Sequence, residues 1–543
     1  HVFLNPEYQA TRQVRGFHNF YNYVPPAKYG KTHPEYFSMD KNGKRVMAEN
    51  AGGQLCLSHP DVEEIVYKHL LSCIEKDRKI YGKRAPRIYD FSQLDNAYFI
   101  CCCPGCKKII AKYGNTDSGL MVYFINRLAR RVRKVYPGIM LRTFAYVNTE
   151  HLPSGIKVED NVLIQLCDLY SVCNHTLPLS HPANKKRQRL VEDWASIAKN
   201  LMIWDYILQN GDLPVVPVDA LIPDAKFFRK NNVKYIFMET EIRNNNPSAF
   251  EYLKNFLIAQ IYFNPDQDLN KLLDVFCKGY YGVAHREMRA YLDLLRKAQN
   301  ENPTMDPRAW HGRMLVHINL KFLEQCKALV EKAMKRNKDP KVALRLLWER
   351  NVVNNGIARE LLAYPAKEME RRQLLKQLLV DRIKVLKDRG LTPQRYKLEE
   401  QKLRLPIEEN LISYTDIPEE LKKLPPGTIR FLGATRQRAS HFSTVTGQYT
   451  TDPESPLPQV MIWRHKDPAK FTNPIGVGVY DNRTKKTVSA TLKAPTDEKY
   501  HWYKALRFTM GPSSYFWALD WRIRFRFDNF FILADGVSEE ENP

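Results

Sequence analysis

Between residues 85 and 242 the sequence repeats one unit, which consists of a short apolar segment, a polar loop and an amphipathic helix. The apolar segments predict five strands: Arg87–Asn96, Ile139–Asn148, Asn161–Tyr170, Leu201–Asn210 and one that begins at Val233. Helices are predicted between them at Ser118–Gly138, Lys186–Asn200 and Asp219–Asn232. Alternation of strands and helices is typical of parallel βα units. The pattern therefore predicts an α/β fold built on a parallel sheet.

The number of strands bears on whether this sheet closes into a barrel. A sixth strand is predicted at Gly16–Val24, whereas a closed barrel of parallel strands needs eight. The missing two would have to lie in the first fifteen residues, which are too few, or precede residue 1. We predict a TIM-type (β/α) barrel over residues 1–246, incomplete at its N-terminus. An open parallel sheet is the alternative architecture.

The remainder of the chain changes character twice. Residues 247–405 show the i, i+3, i+4, i+7 apolar spacing of helices and are predicted to form a helical region. Residues 410–543 contain short aromatic-rich segments separated by turn residues, which predict a β-sandwich accessory domain. Such a domain either binds carbohydrate through exposed aromatic side chains or caps the rest of the protein.

The formal net charge of +23 raises the question of nucleic-acid binding. The basic residues are spread thinly, and runs such as Arg127–Lys134 have the apolar spacing of solvated helix faces. We therefore expect no nucleic-acid partner. A basic, nucleic-acid-associated protein organised by its cysteine cluster is kept as a rival. No run of ~18 apolar residues is present, so no membrane span is expected. Phosphate-loop, nucleophile-elbow and zinc-protease motifs are also missing from the sequence.

Four of the ten cysteines fall in the stretch CCCPGC, Cys101 to Cys106. A C-x-C-x-x-C pattern can bind zinc, but a structural zinc site usually has four ligands, and no second C-x-x-C follows. Cys102 should point away from its neighbours in an extended chain. The pattern favours a local thiol cluster or a single disulfide. We expect no catalytic metal and no cofactor.

Polar and aromatic residues recur at the end of every predicted strand, and in a parallel barrel these ends meet at one rim. The last strand reads VKYIFMETEIRNNN, so alternation places Tyr235, Phe237, Glu239 and Glu241 on one face. Glu239 is the first candidate for a catalytic carboxylate and Glu241 the second. Asp95 and Asp205 are the candidate partners.

Sugar hydrolysis is the chemistry that suits this set of residues. Paired carboxylates can protonate a leaving oxygen and stabilise an oxocarbenium-like transition state. Amides and imidazoles bind sugar hydroxyls, and aromatic rings stack on sugar faces. The candidate substrate-binding residues are His18, Asn22, Asn96, Tyr146, Gln165, His175, Trp204, Tyr206 and Arg243.

Several ordered motifs resemble the family called domain of unknown function 4838, a bacterial family grouped with barrel glycoside hydrolases. The matching segments lie between about residues 15 and 300 and are Asn22–Val62, Ser92–Cys106, Leu163–His175, Leu201–Tyr206 and Phe276–Leu295. One branch of the family, glycoside hydrolase family 163, contains endo-β-N-acetylglucosaminidases that act on complex N-glycans. The resemblance implies a barrel and a carbohydrate substrate.

We therefore predict a glycoside hydrolase that cleaves O-glycosidic bonds of a complex glycan or polysaccharide, with an endo-β-N-acetylglucosaminidase-like activity as its finer form. The family resemblance implies a secreted, periplasmic or cell-surface location. The alternative is a non-catalytic carbohydrate-binding protein on a degenerate barrel. The sequence leaves open the sugar, the linkage, the stereochemical outcome and the oligomeric state.

Overall fold

The computed structural model describes most of the chain, with gaps. The described residues are 11, 13–96, 100–167, 177–205, 214–238, 248–302, 318–361 and 367–412, and the strands 429–432, 445–450, 460–465, 475–481, 486–492, 514–519 and 529–532. Among the helices of these parts, none is both long and apolar enough to cross a membrane.

A five-stranded parallel sheet, curled into a half-barrel, is the centre of the N-terminal half. Its strands are β1 (Ile88–Asp90), β2 (Met140–Ala145), β3 (Val162–Cys167), β4 (Leu201–Asp205) and β5 (Val233–Met238). They lie side by side in chain order, and each neighbouring pair is parallel. The predicted α/β class and all five strand positions are confirmed.

The strand predicted at Gly16–Val24 is wrong, because this segment contains the short helix α1 (Phe20–Tyr23) instead. Its polar groups bond to the chain around the end of β1. The Asn19 side chain donates to the Asp90 carbonyl (2.9 Å) and accepts from the Ser92 backbone N–H (3.0 Å). Tyr23 Oη also donates to the Asp90 carbonyl (2.7 Å). Side-chain bonds thus hold the segment against the sheet, where a strand ladder was expected.

Helices pack on one face of the sheet and around it. They are α2 (Pro26–Tyr29), α3 (Pro60–Tyr81), α4 (Pro104–Lys112), α5 (Asp117–Val135), α6 (Lys185–Ile197) and α7 (Leu221–Lys230). The start of α5 shows why these helices begin where they do. The Thr116 side chain accepts a hydrogen bond from the Gly119 backbone N–H, and Asp117 lies in the positive first turn.

The two faces of the sheet contribute to different parts of the core. On the outer face, Val162, Ile164 and Leu166 of β3 pack with apolar residues of α3, α5 and α6. Leu163 and Cys167 of the same strand belong to smaller clusters on the inner, concave face. This alternation is the period of two expected of a strand. Residues of the inner face are therefore the ones that can reach a site inside the half-barrel.

The helical region beyond the sheet consists of seven helices in the described residues. They are α8 (Glu251–Phe263), α9 (Leu269–Tyr281), α10 (His285–Glu301), α11 (Leu320–Arg336), α12 (Pro340–Glu360), α13 (Glu368–Lys387) and α14 (Pro393–Ile412). A second core, separate from that of the sheet, runs through α7 to α12. The predicted helical character of this region is confirmed, while its domain boundaries stay a prediction.

Beyond the last helix the described residues form strands in three antiparallel groups. The strands are β6 (Ile429–Leu432), β7 (Val445–Thr450), β8 (Val460–His465), β9 (Ile475–Asp481), β10 (Lys486–Leu492), β11 (Ser514–Leu519) and β12 (Asn529–Ile532). β9 lies between β10 and β11, β6 pairs with β12, and β7 pairs with β8. The β-rich character is as predicted. The segments that would join these strands into a sandwich lie outside the described residues.

Candidate functional site

Three predicted site residues meet at the carboxyl edge of the sheet. Asp95 follows β1, and its side chain is 60% exposed. Tyr146, directly after β2, donates a hydrogen bond from its hydroxyl to Asp95 Oδ1 (3.1 Å). His18 Nε2 lies 3.9 Å from the same oxygen. We call these three residues the Asp95 centre.

His18 is held tightly in an uncommon backbone conformation. Its φ of +53° is in the left-handed region, which residues other than glycine seldom adopt. Its Nδ1 donates to the Gln93 carbonyl (2.9 Å), and its backbone N–H donates to Ser92 Oγ (3.0 Å). Because a carbonyl only accepts, Nδ1 carries the ring proton and Nε2 is turned towards Asp95. The fixed tautomer and the local strain are features often found at functional sites.

A buried network of uncharged groups is hydrogen-bonded to the backbone of Tyr146. The Gln93 amide donates to the Tyr146 carbonyl (2.9 Å) and to Asn148 Oδ1 (3.0 Å), and it accepts from Thr149 Oγ1 (2.8 Å). Gln93 and Thr149 are both fully buried. This network joins the loop after β1 to the loop after β2. It therefore fixes the position of Tyr146 relative to Asp95.

Asp117 is a second carboxylate in the same network, and the sequence reasoning missed it. Asn148 Nδ2 donates to Asp117 Oδ2 (3.2 Å). Burial raises the pKa of Asp117, and the Asn148 and Ile100 hydrogen bonds oppose that rise in part. In the sequence, Asp117 has the position of an ordinary acidic residue in the first turn of a helix. Only the bond from Asn148, which follows a predicted strand, links it to the site.

Below the Asp95 centre, a buried ion pair ties the N-terminal segment to the sheet. Arg142 Nε donates to Asp90 Oδ2 (2.7 Å), and Arg142 Nη2 donates to the Gly16 carbonyl (2.8 Å). Burial raises the pKa of Asp90, whereas the charge of Arg142 acts in the opposite direction. The Arg142 guanidinium also lies over the Phe17 ring, 4.7 Å from its centroid. These contacts place the residue that follows, His18.

Aromatic rings line the inner face next to this centre. The Trp204 ring lies 4.8 Å from that of Phe17 and 4.5 Å from that of Phe237, between centroids. Tyr235 and Phe237 share this inner face, as the alternation of β5 predicts. Trp204 is half-buried, so part of its ring surface can reach a ligand.

Gln165 is fully buried on the same inner face, beside Phe144 of β2 and Met202 of β4. Among the described residues, neither atom of its side-chain amide has a hydrogen-bond partner. A buried amide without partners costs free energy, so it usually has a ligand, a water molecule or another side chain to bind. The role of Gln165 as a hydroxyl-binding residue stays a prediction.

The structure does not bring Asp205 to the Asp95 centre. Strand alternation turns Trp204 inward and Asp205 outward, towards α6. There Asp205 Oδ2 accepts from Arg187 Nη2 (3.0 Å), and both side chains are 1% exposed. The prediction counted polar residues at strand ends without assigning them to faces, and the face is what separates Asp205 from Asp95.

Asn96 and Asn22 occupy less central places. The Asn96 amide donates to the carbonyls of Gly53 (3.2 Å) and Glu49 (3.3 Å), so it fastens the loop next to Asp95. Asn22 is exposed on α1. The other predicted site residues, Glu239, Glu241, His175, Tyr206 and Arg243, lie outside the described residues. Their roles stay predictions.

A second constellation joins four cysteines from two parts of the chain. Cys101, Cys103 and Cys106 at the start of α4 meet Cys56, which lies just before α3. All four are buried, and their sulfur atoms lie within 4.8 Å of one another. Of the two predicted alternatives, a local thiol cluster or a single disulfide, the structure has the thiol cluster, because all four cysteines are free thiols. Cys102 is half-buried and lies outside the cluster, as predicted.

Fold and site together define a class, namely α/β proteins whose half-barrel sheet carries a polar centre at its carboxyl edge. The sequence matches the family described as Domain of unknown function (DUF4838) over residues 3–293, which is more than half of the chain. The chain belongs to this family, and the resemblance seen in its motifs is confirmed.

Comparison with individual proteins adds little. No curated protein matches the sequence. Among solved structures, a mutant of the O-GlcNAc hydrolase of Thermobaculum terrenum matches with 14% sequence identity and a TM-score of 0.29. The match covers 66% of this chain and 77% of that protein. A similarity of this degree supports no argument about activity.

Proposed function

We propose that the protein is a glycoside hydrolase that cleaves O-glycosidic bonds of a complex glycan or polysaccharide at the carboxyl edge of its sheet. The observation that carries the proposal is the Asp95 centre. An exposed carboxylate is oriented there by a tyrosine hydroxyl and faced by a histidine whose tautomer is fixed. The carboxyl edge is also where parallel barrels carry their chemistry.

The proposed reaction needs two carboxyl groups, one on each side of the scissile bond. Asp95 is the first, since its 60% exposed side chain leaves room for a sugar beside it. Glu239 is proposed as the second. Tyr235 and Phe237 lie on the inner face, and the alternation of the sequence predicts the same face for Glu239, which is outside the described residues.

The neighbouring residues suit recognition of a sugar. Trp204 offers an aromatic surface, and the buried amide of Gln165 has both a donor and an acceptor for a hydroxyl. An endo-β-N-acetylglucosaminidase-like activity on complex N-glycans is the finer form of the proposal. It rests on the resemblance to the family 163 branch.

A hydrolysis screen of the full-length protein tests the proposal. The panel should contain glycoproteins with complex N-glycans and several polysaccharides, with released products identified by mass spectrometry. On a substrate that is cleaved, Asp95→Asn should lower turnover by roughly a hundredfold or more, the usual scale for loss of acid–base catalysis. Glu239→Gln should have a similar effect.

Asp160→Asn is the matched control, because Asp160 lies just before β3 at the opposite edge of the sheet and is 68% exposed. Its turnover should equal that of the wild type. Circular dichroism should show that all three variants are folded. Near-full activity of a folded Asp95→Asn variant would remove Asp95 from the mechanism.

Carbohydrate binding without hydrolysis is the second candidate. It is favoured by the placement of Asp205 in a buried ion pair on the outer face, since Asp95 is then the only one of the two described candidate acids that lies at the proposed site. Titration calorimetry with the same glycans separates the two proposals. Binding without any product after prolonged incubation, with an affinity that Asp95→Asn leaves unchanged, would favour the binding protein.

A further inference from the structure

We propose that Cys56, Cys101, Cys103 and Cys106 bind a structural zinc ion through four thiolates. The four side chains come from two segments that are 45 positions apart at their nearest members, yet all four sulfur atoms lie within 4.8 Å of one another. The proposal does not depend on the proposed hydrolase activity.

The distances between the sulfur atoms fit a tetrahedral metal site. Cys56 Sγ lies 3.5 Å from Cys103 Sγ and 3.9 Å from Cys106 Sγ. Zinc–sulfur bonds of about 2.3 Å at tetrahedral angles separate the sulfur atoms by about 3.8 Å. A disulfide would bring two of them to about 2.05 Å. The cluster therefore has the spacing of ligands around an ion.

Polar groups of the neighbouring chain segments surround the sulfur atoms. The backbone N–H groups of Met39 and Cys106 point at Cys101 Sγ (3.3 Å) and Cys103 Sγ (3.4 Å). Ser58 Oγ accepts a hydrogen bond from the Cys106 thiol (3.2 Å). Cys103 also occupies the N-cap of α4, where the helix dipole favours negative charge. Hydrogen-bond donors of this kind are typical of the second shell around metal-bound thiolates.

The donor set indicates both the metal and its role. Four sulfur ligands in tetrahedral arrangement select zinc or iron, and zinc is the usual ion of a mononuclear structural site. Binding converts four thiols to thiolates and releases four protons to solvent. Four protein ligands leave no open coordination position, so the ion would not act on a substrate.

The site would fasten the loop that carries Asp95. Two hydrogen bonds join this loop to the backbone of Met39. The Met39 N–H donates to Cys101 Sγ, and the Cys102 N–H donates to the Met39 carbonyl (2.8 Å). The Gln54 side chain, two residues from Cys56, bonds both the N–H and the carbonyl of Leu94. A zinc ion would therefore link the chain before α3 to the loop after β1.

Metal analysis of the full-length protein, purified without chelators, tests the proposal. Inductively coupled plasma mass spectrometry should find about one zinc ion per chain. Cys103→Ser should lose the metal, whereas the matched control Cys102→Ser should retain it. Cobalt exchanged into the wild type should give the intense visible bands of a tetrahedral thiolate site.

Wild-type protein provides the readout if Cys103→Ser fails to fold. Titration of its thiols with a mercurial in the presence of a chromogenic chelator should release about one zinc ion per four cluster thiols. Removal of the metal should also increase deuterium uptake by residues 92–96 and 100–103. Folded wild type that holds no metal and takes up neither zinc nor cobalt would overturn the proposal. Stoichiometric iron would overturn its assignment to zinc.

Discussion

Replacement of Asp205 by asparagine tests whether this residue stabilises the fold or takes part in chemistry. Asp205 ends β4 and points to α6, where its carboxylate accepts from the Arg187 guanidinium at 3.0 Å. Both side chains are 1% exposed, so water screens neither charge. Asparagine keeps the shape of the side chain but removes its charge.

The size of the effect follows from this burial. Removing one member of a buried ion pair typically costs 3–5 kcal/mol, because the other charge stays buried without its partner. Asparagine retains one oxygen that can accept from Arg187, so we expect a loss of stability at the lower end of this range, about 3 kcal/mol. That value corresponds to a change of about a hundredfold in the unfolding equilibrium.

Urea unfolding measures this loss, with the emission of Trp194 as one reporter because it is fully buried in α6, the helix that carries Arg187. The double variant Asp205→Asn/Arg187→Gln should be more stable than the sum of the single losses predicts, since it leaves no buried charge of this pair. The turnover of folded Asp205→Asn should stay near that of the wild type. A stability change below about 0.5 kcal/mol with a hundredfold loss of hydrolysis would refute this reasoning.

Two further outcomes are expected. Tyr146→Phe removes the donor to Asp95 and should slow the proposed hydrolysis about tenfold, the scale of one hydrogen bond to a charged group. The control is Tyr123→Phe, on the exposed side of α5. Equal rates for the two variants would contradict the role of Tyr146. Glu349 is buried in α12, and this burial raises its pKa to about 7, above that of an unfolded glutamate. Its protonated form therefore stabilises the fold at acid pH, and the contribution is lost as the pH rises through about 7. The stability of Glu349→Gln relative to the wild type should therefore rise by up to about 3 kcal/mol between about pH 4 and pH 8. Urea unfolding at several pH values measures this, and a difference between the two proteins that does not change with pH would contradict it.

The periodic elements of the fold were predictable from sequence because their signal is local. Each of the five strands and the helices α5, α6 and α7 appears where apolar spacing placed it. The N-terminal segment failed because its alternating aromatic residues resemble a strand. Its actual bonds run from Asn19 and Tyr23 to the end of β1, about seventy positions away, which no local pattern contains.

The candidate site was predictable only in part, for the same physical reason. The proximity of Asp95 and Tyr146 follows from their places after the neighbouring strands β1 and β2, whereas His18 reaches them from a segment whose predicted strand is absent. The direction of a side chain needs a strand face to be assigned, and Asp205 shows the consequence of leaving that out. Cys56 was missed as the fourth member of the thiol cluster because it belongs to no motif and lies 45 positions before Cys101, so that only the folded chain brings it to the others.

The amide–hydroxyl network of Gln93, Asn148 and Thr149 has a consequence for kinetic experiments. Gln93, Asn148 and Thr149 carry no charge, so the hydrogen bonds among them neither titrate nor weaken as salt screens ionic contacts, whereas the bond from Asn148 to Asp117 ends on a titratable carboxyl group. The scaffold beneath Tyr146 should thus hold the same geometry over a wide range of buffers. A bell-shaped dependence of the proposed hydrolysis on pH would then report the reacting carboxyl groups and Asp117, the titratable group that accepts from Asn148, because the bonds among the uncharged members would not contribute to it.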